Sequence, residues 1–184
     1  MKFTQLAIAD VWLLEPELIE DHRGLFRRSF CAVEYKDYGL LPTVLQGNIS
    51  ENITLGTLRG FHYQTAPHQE AKTLSCLIGS IFDSVVDLRP NSRTFLKWLS
   101  VELSAANRNS LYVPPGCANA YITTDNQSVI HYYMSEVFSP VSYFGFNYAD
   151  PQFSFIWPFE PVVLSQKDKN LPNLDVKKLL SERK

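Results

Sequence analysis

Apolar and polar side chains alternate in short runs along this chain, and Gly, Pro or Asn interrupts them about every ten residues. Alternation with a period of two places neighbouring side chains on opposite faces of a strand. In residues 128–134, Ile130, Tyr132 and Met134 would therefore share an inward face. Many short strands rich in aromatic and β-branched residues are typical of a β-sandwich or barrel. The pattern predicts one all-β domain over residues 1–184.

The predicted elements are bounded by turn-forming residues. Helical spacing is limited to a short turn in 31–38 and to residues 173–184, which have basic residues near their end. The first strand is expected at an edge of its sheet, because Glu15-Pro16 closes it. The predicted strands are 11–14, 25–30, 44–50, 55–63, a run that begins at Lys72, 98–103, 110–113 and 128–134.

Composition restricts the classes of function. The 184 residues have a net charge of −2, which gives no electrostatic reason to expect nucleic acid or an acidic membrane as a partner. No apolar run has the length of a signal peptide or of a membrane span. The three cysteines are too scattered for a disulfide framework or a zinc knuckle. These features predict a soluble cytoplasmic protein.

The stretch 58–79 contains the most suggestive chemistry. Arg59 and His62 lie in one predicted strand and Lys72 opens the next, so groups suited to anion binding and proton transfer fall within fourteen residues. A basic residue that opens an apolar strand usually needs a partner, because burying an unpaired charge is costly. A surface hairpin with scattered charges explains this stretch alone equally well.

Eight short motifs are distributed over nearly the whole chain. They are DHRGLF (21–26), QGNIS (46–50), LRGFHYQ (58–64), QEAKTL (69–74), GSIFDSVVDLR (79–89), PPGCANAY (114–121), DP (150–151) with IWP (156–158), and LSQKD (164–168). Their order and spacing resemble those of the dTDP-4-dehydrorhamnose 3,5-epimerase family. The resemblance implies a cupin-type jelly roll of two antiparallel sheets with short peripheral helices. It also implies a homodimer that exchanges N-terminal strands, and epimerisation of nucleotide-linked 4-keto-6-deoxyhexoses without a metal or redox cofactor.

The resemblance also assigns roles to residues. His62 would be the general base, oriented by Asp168, while Lys72 would face the C4 oxygen of the sugar and Tyr132 would be the acid on the opposite face. Further positions would bind the nucleotide diphosphate sugar. These are Arg59, Arg23, Gln46, Asn48, Asn119, Lys167, Phe138, Arg28 and Phe26.

The reaction requires residues of these types. A C4 ketone acidifies the hydrogens on C3 and C5, since the anion left behind is an enolate with its charge on the C4 oxygen. Removing such a hydrogen needs a positioned base with a pKa near the working pH, and histidine is the usual choice. A carboxylate fixes the tautomer of that histidine. The enolate oxygen needs a nearby cation, and inversion needs a second proton carrier on the other face of the sugar.

Three departures from the family pattern affect specificity. Asn119 stands where a histidine is common, and an amide cannot carry a proton at neutral pH, which favours inversion at C3 alone. Arg28 stands where a glutamate near the nucleotide base is common. A guanidinium is positive and donates hydrogen bonds, whereas a carboxylate is negative and accepts them, which suggests CDP in place of dTDP. Phe138 stands where an aromatic residue, often tyrosine, stacks on thymine.

Three alternatives remain open at this point. The first is the full 3,5-epimerase, with Asn119 a tolerated change. The second is a metal-dependent cupin, but its set of histidine ligands is incomplete, because Gln64 and Asn119 occupy the positions concerned. The third is a catalytically silent cupin that binds a sugar nucleotide. The remaining histidines, His22, His68 and His131, are expected at the surface or in loops.

Overall fold

Thirteen short strands dominate the computed structural model, which describes residues 1–181. One sheet has six strands in the order β1-β2-β10-β7-β12-β5, a second has five in the order β13-β6-β11-β8-β9, and β3 and β4 form a separate hairpin. The strands are β1 Lys2–Gln5, β2 Trp12–Glu15, β3 Leu18–Asp21, β4 Gly24–Arg27, β5 Gln46–Asn52, β6 Leu58–Gln64, β7 Lys72–Ile78, β8 Ser80–Asp87, β9 Trp98–Ser104, β10 Ser110–Val113, β11 Cys117–Thr123, β12 Ser128–Met134 and β13 Tyr143–Gly145. The helices are α1 Ala32–Asp37, α2 Gln166–Lys169 and α3 Val176–Ser181.

The two sheets face one another across a shared apolar core. Their inward positions supply side chains that are almost wholly buried, as the alternation in the sequence predicts. The cluster consists of Ile8, Val11, Leu74, Cys76, Ile81, Val85, Leu103, Leu111, Val113, Cys117, Tyr121 and Ile130. All pairing between strands within the sheets is antiparallel, and the predicted jelly roll of two antiparallel sheets is confirmed.

The outer face of each sheet is partly covered by its own aromatic cluster. Phe61 of β6 stacks on Phe146 and Phe155, at ring-centroid distances of 4.7 and 4.6 Å. On the other sheet, Phe3 and Tyr35 pack edge to face beneath α1. These clusters fix the connecting segments against the sheets, since buried aromatic rings contribute most per residue to such packing.

The pairing register of the strands places the predicted site residues close together. Asn119 of β11 lies directly opposite His62 of β6, and Tyr132 of β12 pairs with Leu74 of β7 and with Asn48 of β5. His62 and Tyr132 therefore belong to different sheets. Residues far apart in sequence meet in this way at one end of the core.

The predicted strands 110–113 and 128–134 match β10 and β12 in both bounds. The prediction of an edge strand at 11–14 is wrong, because β1 pairs with the outer side of β2. The prediction omitted β1, β3, β11, β13 and α2, the last being too short for a helical period to appear in the sequence. The predicted helix over 173–184 is reduced to α3, and residues 182–184 lie outside the described part. No helix within residues 1–181 is long and apolar enough to cross a membrane.

Gly60 allows β6 and β11 to approach closely beside the chemistry. Its φ is +117°, and an added Cβ would lie 2.6 Å from the Asn119 carbonyl oxygen and 2.7 Å from Ala120 Cα. Between Asn119 and Tyr121 the pairing spans two steps of β11 but three steps of β6, from His62 to Arg59, so β6 bulges at Gly60 and Phe61.

We expect Gly60→Ala to lower the free energy of unfolding by about 2–5 kcal/mol, because it combines a left-handed backbone with overpacking. Gly47→Ala is the matched control, since its Cβ would meet only Tyr133 at 3.9 Å, and it should change stability by less than about 0.5 kcal/mol. Denaturant titration of both variants measures the difference. Equal losses of stability in the two variants would show that the close approach of β6 and β11 does not require glycine at position 60.

Candidate active site

A cavity of about 660 Å³ opens between the two sheets at the end where His62 and Tyr132 lie. Strands β5, β6, β7, β11 and β12 form its walls, and α2 contributes to its lining. A pocket of several hundred Å³ with convergent polar groups has the size of a small-molecule site. Ten of the predicted site residues line it: His62, Tyr132, Asp168, Lys72, Arg59, Gln46, Asn48, Asn119, Lys167 and Phe138.

His62 and Asp168 form a hydrogen-bonded pair at the cavity wall. The distance from His62 Nε2 to Asp168 Oδ1 is 2.7 Å. Asp168 lies in α2, where its backbone N–H donates to the Ser165 hydroxyl that caps the helix, at 3.0 Å. Burial alone would raise the pKa of Asp168. Hydrogen bonds from His62, the Gly60 backbone and Ser165, with attraction to the imidazole charge, outweigh burial and hold that pKa below its usual value.

Lys72 is held from three sides. Its Nζ donates to the His62 carbonyl oxygen at 3.2 Å and to Asn119 Oδ1 at 3.1 Å, and it lies 3.2 Å from Glu70 Oε1. The Lys72 side chain is 11% exposed, so the cation sits in surroundings of reduced dielectric. A fixed ammonium in such a place stabilises a developing negative charge better than it would in water.

Asn119 bridges Lys72 to a carboxyl group that sequence reasoning did not single out. Its Nδ2 lies 3.4 Å from both carboxyl oxygens of Asp83, which is fully buried in β8. Burial raises the pKa of Asp83 to about 7, against smaller lowering effects of Asn119 and Lys72. The motif GSIFDSVVDLR could have indicated Asp83, because Asp83 shares the inward face of a strand with Ile81 and Val85.

Aromatic rings line the cavity beside this charged group. Tyr143, which the sequence analysis did not identify, has its ring centroid 5.1 Å from that of His62 and receives Lys167 Nζ over its face at 4.1 Å. Phe138 meets Tyr143 edge to face at 5.1 Å and is 45% exposed at the cavity edge. Burial raises the pKa of Tyr132, so its phenol is protonated at neutral pH and can donate.

Polar side chains continue from the charged group along β5 and β6. Arg59 Nε donates to Asn52 Oδ1 at 2.8 Å, while the Arg59 side chain remains in the cavity lining. Gln46 Nε2 donates to Asn48 Oδ1 at 3.0 Å, and Gln46 Oε1 accepts from the Phe138 backbone at 2.8 Å. A guanidinium in the cavity lining can donate hydrogen bonds to a diphosphate, and the neighbouring amide side chains can hydrogen-bond to sugar hydroxyls.

Three predicted site residues do not reach the cavity of their own chain. Arg23, at the tip of the β3–β4 hairpin, pairs with Asp21 at 2.6 Å and its side chain is 79% exposed. Phe26 in β4 is 67% exposed. Arg28 pairs with Glu34, so the prediction that it lies near the nucleotide base finds no support within one chain.

The geometry can be compared with known proteins. A family model described as dTDP-4-dehydrorhamnose 3,5-epimerase matches residues 5–175. The chain belongs to this family. The matched span includes every residue of the cavity lining. The predicted family and the predicted isomerase class, an epimerase of nucleotide-linked deoxysugars, are thereby confirmed.

Relatives in this epimerase family resemble the chain over almost its full length. A dTDP-4-dehydrorhamnose 3,5-epimerase of Shigella flexneri is 34% identical over 171 residues, covering 92% of this chain and 94% of the relative. The structure of a dTDP-6-deoxy-D-glucose-3,5-epimerase from Legionella pneumophila, in complex with dTDP-4-keto-L-rhamnose, matches with a TM-score of 0.90 and 33% identity over 97% of this chain and 96% of that chain. A 3'-monoepimerase from Streptomyces bikiniensis in complex with dTDP-quinovose matches with a TM-score of 0.86 and 31% identity over 96% and 89% of the two chains.

A resident metal ion would need a cluster of donor side chains. Within residues 1–181, no three or more His, Cys, Asp or Glu side chains are grouped so that they could hold a metal ion. The ligand set that the metal-dependent alternative needs is therefore not assembled in this part of the chain.

The buried Asp83 generates a prediction about stability and pH. An unfolded aspartate ionises near its ordinary value of 3.8, whereas folded Asp83 retains its proton up to about pH 7. As the pH rises between these values, the unfolded state loses a proton that the folded state keeps, so the free energy of unfolding falls. Asp83→Asn removes this dependence. The stability of the variant relative to wild type should rise by on the order of 3 kcal/mol from pH 4.5 to pH 8.

Urea unfolding at several pH values measures this difference. Asp37→Asn is the matched control, because Asp37 is exposed at the end of α1, and its difference from wild type should stay constant with pH. A constant difference for Asp83→Asn as well would show that Asp83 ionises in the folded protein as it does in the unfolded chain.

Proposed function

We propose that this chain inverts C3 of a dTDP-linked 4-keto-6-deoxyhexose through an enolate, in deoxysugar biosynthesis for surface polysaccharide. One observation supports the proposal above all others. A His–Asp pair and a protonated tyrosine line the same cavity from opposite sheets, so a sugar between them can lose a proton on one face and gain one on the other. The reaction breaks one C–H bond and makes one, so it needs no oxidant.

His62 is proposed as the general base. It takes the hydrogen from C3, and the electron pair of that C–H bond becomes the C3–C4 double bond while the C4 oxygen becomes negative. Asp168 accepts a hydrogen bond from His62 Nε2, which leaves Nδ1 unprotonated and stabilises the imidazolium that forms. Side-chain exposure of 19% for His62 and 5% for Asp168 keeps water largely away from the pair.

Lys72 is proposed to stabilise the enolate and Tyr132 to complete the inversion. The Lys72 ammonium faces the cavity from the start of β7 and offers a positive charge to the C4 oxygen. The Tyr132 phenol then donates its proton to C3 from the six-stranded sheet. Asn119 stands opposite His62, and its amide has no proton to deliver, which favours C3 over C5 as the site of inversion.

The nucleotide portion is proposed to extend along β5 and β6. Arg59 and Lys167 neutralise the diphosphate, with Gln46 and Asn48 beside them, and Phe138 stacks on the base at the cavity edge. The relatives' names specify dTDP. The case for CDP depended on Arg28, which pairs with Glu34 and lies outside the cavity of its own chain, so the nucleotide in the relatives' names, dTDP, is preferred.

A second copy of the chain is proposed to complete the site as a homodimer. The β3–β4 hairpin belongs to neither main sheet, and it exposes Leu18, Ile19, Leu25 and Phe26 at 45, 58, 39 and 67%. Apolar side chains clustered in this way mark a surface that another chain covers. Placed across the partner's cavity, the hairpin would supply Phe26 to the substrate and the Arg23 guanidinium to the diphosphate.

Proton NMR in D2O tests the proposed reaction. With dTDP-4-keto-6-deoxyglucose, we expect the C3 hydrogen to exchange and the C5 hydrogen to remain, and the CDP-linked sugar to exchange more slowly. His62→Ala should abolish exchange, because it removes the proposed base. Tyr132→Phe should slow inversion more than the initial exchange.

Glu102→Gln, a change at an exposed residue of β9, serves as the control and should behave as wild type. Exchange at both C3 and C5 would identify a 3,5-epimerase and assign no selectivity to Asn119. Tight binding of dTDP without any exchange would support the silent cupin instead, and a stoichiometric metal required for exchange would support the metal-dependent alternative.

Heterodimers test the shared site. A dimer of one His62→Ala subunit and one Arg23→Ala subunit contains one site with both residues intact, so it should show about half the wild-type activity although each homodimer is nearly inactive. A heterodimer of His62→Ala with Asp168→Ala contains no intact site and should stay inactive. If the first heterodimer is as inactive as its parents, Arg23 does not act across the interface.

A further inference from the structure

Glu70 is a buried charge in the cavity wall that the proposed mechanism does not use. It lies just before β7, is 5% exposed and belongs to the cavity lining. Its Oε1 is 3.2 Å from Lys72 Nζ. Its Oε2 is the one buried side-chain nitrogen or oxygen within residues 1–181 that has no hydrogen-bond partner.

A buried carboxylate oxygen without a donor is costly, since it has lost its hydration and gained nothing in return. Such a group is expected to acquire a donor in the working state of the protein. The neighbouring Lys72 contacts Glu70 Oε1, Asn119 Oδ1 and the His62 carbonyl oxygen, but it makes no hydrogen bond to Glu70 Oε2. A substrate hydroxyl is one source of such a donor inside the cavity.

The chemistry of the substrate indicates which donor this is. A 4-keto-6-deoxyhexose carries a hydroxyl on C3, next to the ketone, so an acceptor oxygen and a donor hydroxyl lie one C–C bond apart. Lys72 and Glu70 are a neighbouring donor and acceptor. Lys72 can donate to the ketone oxygen while Glu70 accepts from the hydroxyl. The terminal torsion of a glutamate turns easily, which lets the carboxylate meet a hydroxyl beside the ammonium.

We infer that Glu70 accepts a hydrogen bond from the C3 hydroxyl, so that Glu70 and Lys72 together bind the α-hydroxy ketone. The inference rests on the proposed function and adds a residue and a source of selectivity to it. Glu70 is then a further catalytic residue, because it touches the substrate at the carbon that reacts.

The same contact distinguishes the two possible enolates. When His62 removes the C3 hydrogen, the bond electrons form C3=C4, and the C3 hydroxyl and the C4 oxyanion become coplanar on that double bond. Lys72 binds the oxyanion and Glu70 the hydroxyl in this planar arrangement. Loss of the C5 hydrogen leaves C3 tetrahedral, with its hydroxyl out of the enolate plane. Glu70 therefore favours exchange at C3, in addition to the effect of Asn119.

The test compares two substrates and two forms of the protein. Glu70→Gln keeps the shape of the side chain but removes its charge. The substrates are dTDP-4-keto-6-deoxyglucose and its 3-deoxy analogue, which lacks the hydroxyl. Deuterium uptake at C3 and C5 is measured by NMR and mass spectrometry, and kcat/KM is compared for each combination.

With the hydroxylated substrate, Glu70→Gln should slow C3 exchange by roughly tenfold to a hundredfold, the range for a hydrogen bond to a charged group. With the 3-deoxy analogue, Glu70→Gln should slow exchange much less, because the lost contact does not exist there and only the effect on the Lys72 charge remains. Glu70→Asp, which retains a shorter carboxylate, should slow only the hydroxylated substrate and to a smaller extent. Glu102→Gln should change neither substrate.

Equal slowing of both substrates by Glu70→Gln would overturn the inference, because Glu70 would then act only through Lys72 or the fold. No slowing of either would overturn it as well. If Glu70→Gln does not fold, the same comparison with Glu70→Asp decides, and equal effects on both substrates count against the inference. Failure of the wild-type protein to exchange any hydrogen would instead remove the proposed function, and this inference with it.

Discussion

The structure at the cavity end of the molecule depends on the pairing of charged groups that are partly removed from water. The 2.7 Å bond between His62 and Asp168 joins residues 106 positions apart and ties α2 to the middle of β6. Without the imidazole and two backbone or hydroxyl donors, the carboxylate of Asp168 would be destabilised by its burial. The C-terminal segment is thus held at the cavity by the same contact that orients the proposed base.

The backbone around this pair is adapted to the close approach of two strands. Gly60 lets β6, which bulges at this point, come within van der Waals distance of β11, and the pairing of the two strands places Asn119 directly across from His62. Bulges next to active sites redirect side chains in this way. On the opposite wall, Tyr132 is positioned by regular pairing of β12 with strands on both sides. A wall with a strand bulge and a wall that is regularly paired around Tyr132 therefore face each other across the cavity.

The electrostatics of the cavity depend on one ammonium between two carboxyl groups. Lys72 lies 3.2 Å from Glu70, and Asn119 connects it to Asp83. Because Asp83 is fully buried, its raised pKa of about 7 makes this group neutral below that pH, so the Lys72 charge is balanced mainly by Glu70. An amide at position 119 transmits orientation but no proton, since its oxygen faces Lys72 and its nitrogen faces Asp83.

The sequence by itself determined the class of fold and most of the chemistry. Period-two alternation identified the inward face of β12 with Tyr132, and ordered motifs identified His62, Lys72 and Asp168, because residue types and their spacing can be read directly from the chain. Only the tertiary structure decided which of these meet. It placed Asp83, Glu70 and Tyr143 in the cavity, residues whose importance comes from burial and long-range contact. It also placed Arg28 elsewhere and left Arg23 and Phe26 on an exposed hairpin, since strand register and burial are set by the whole fold.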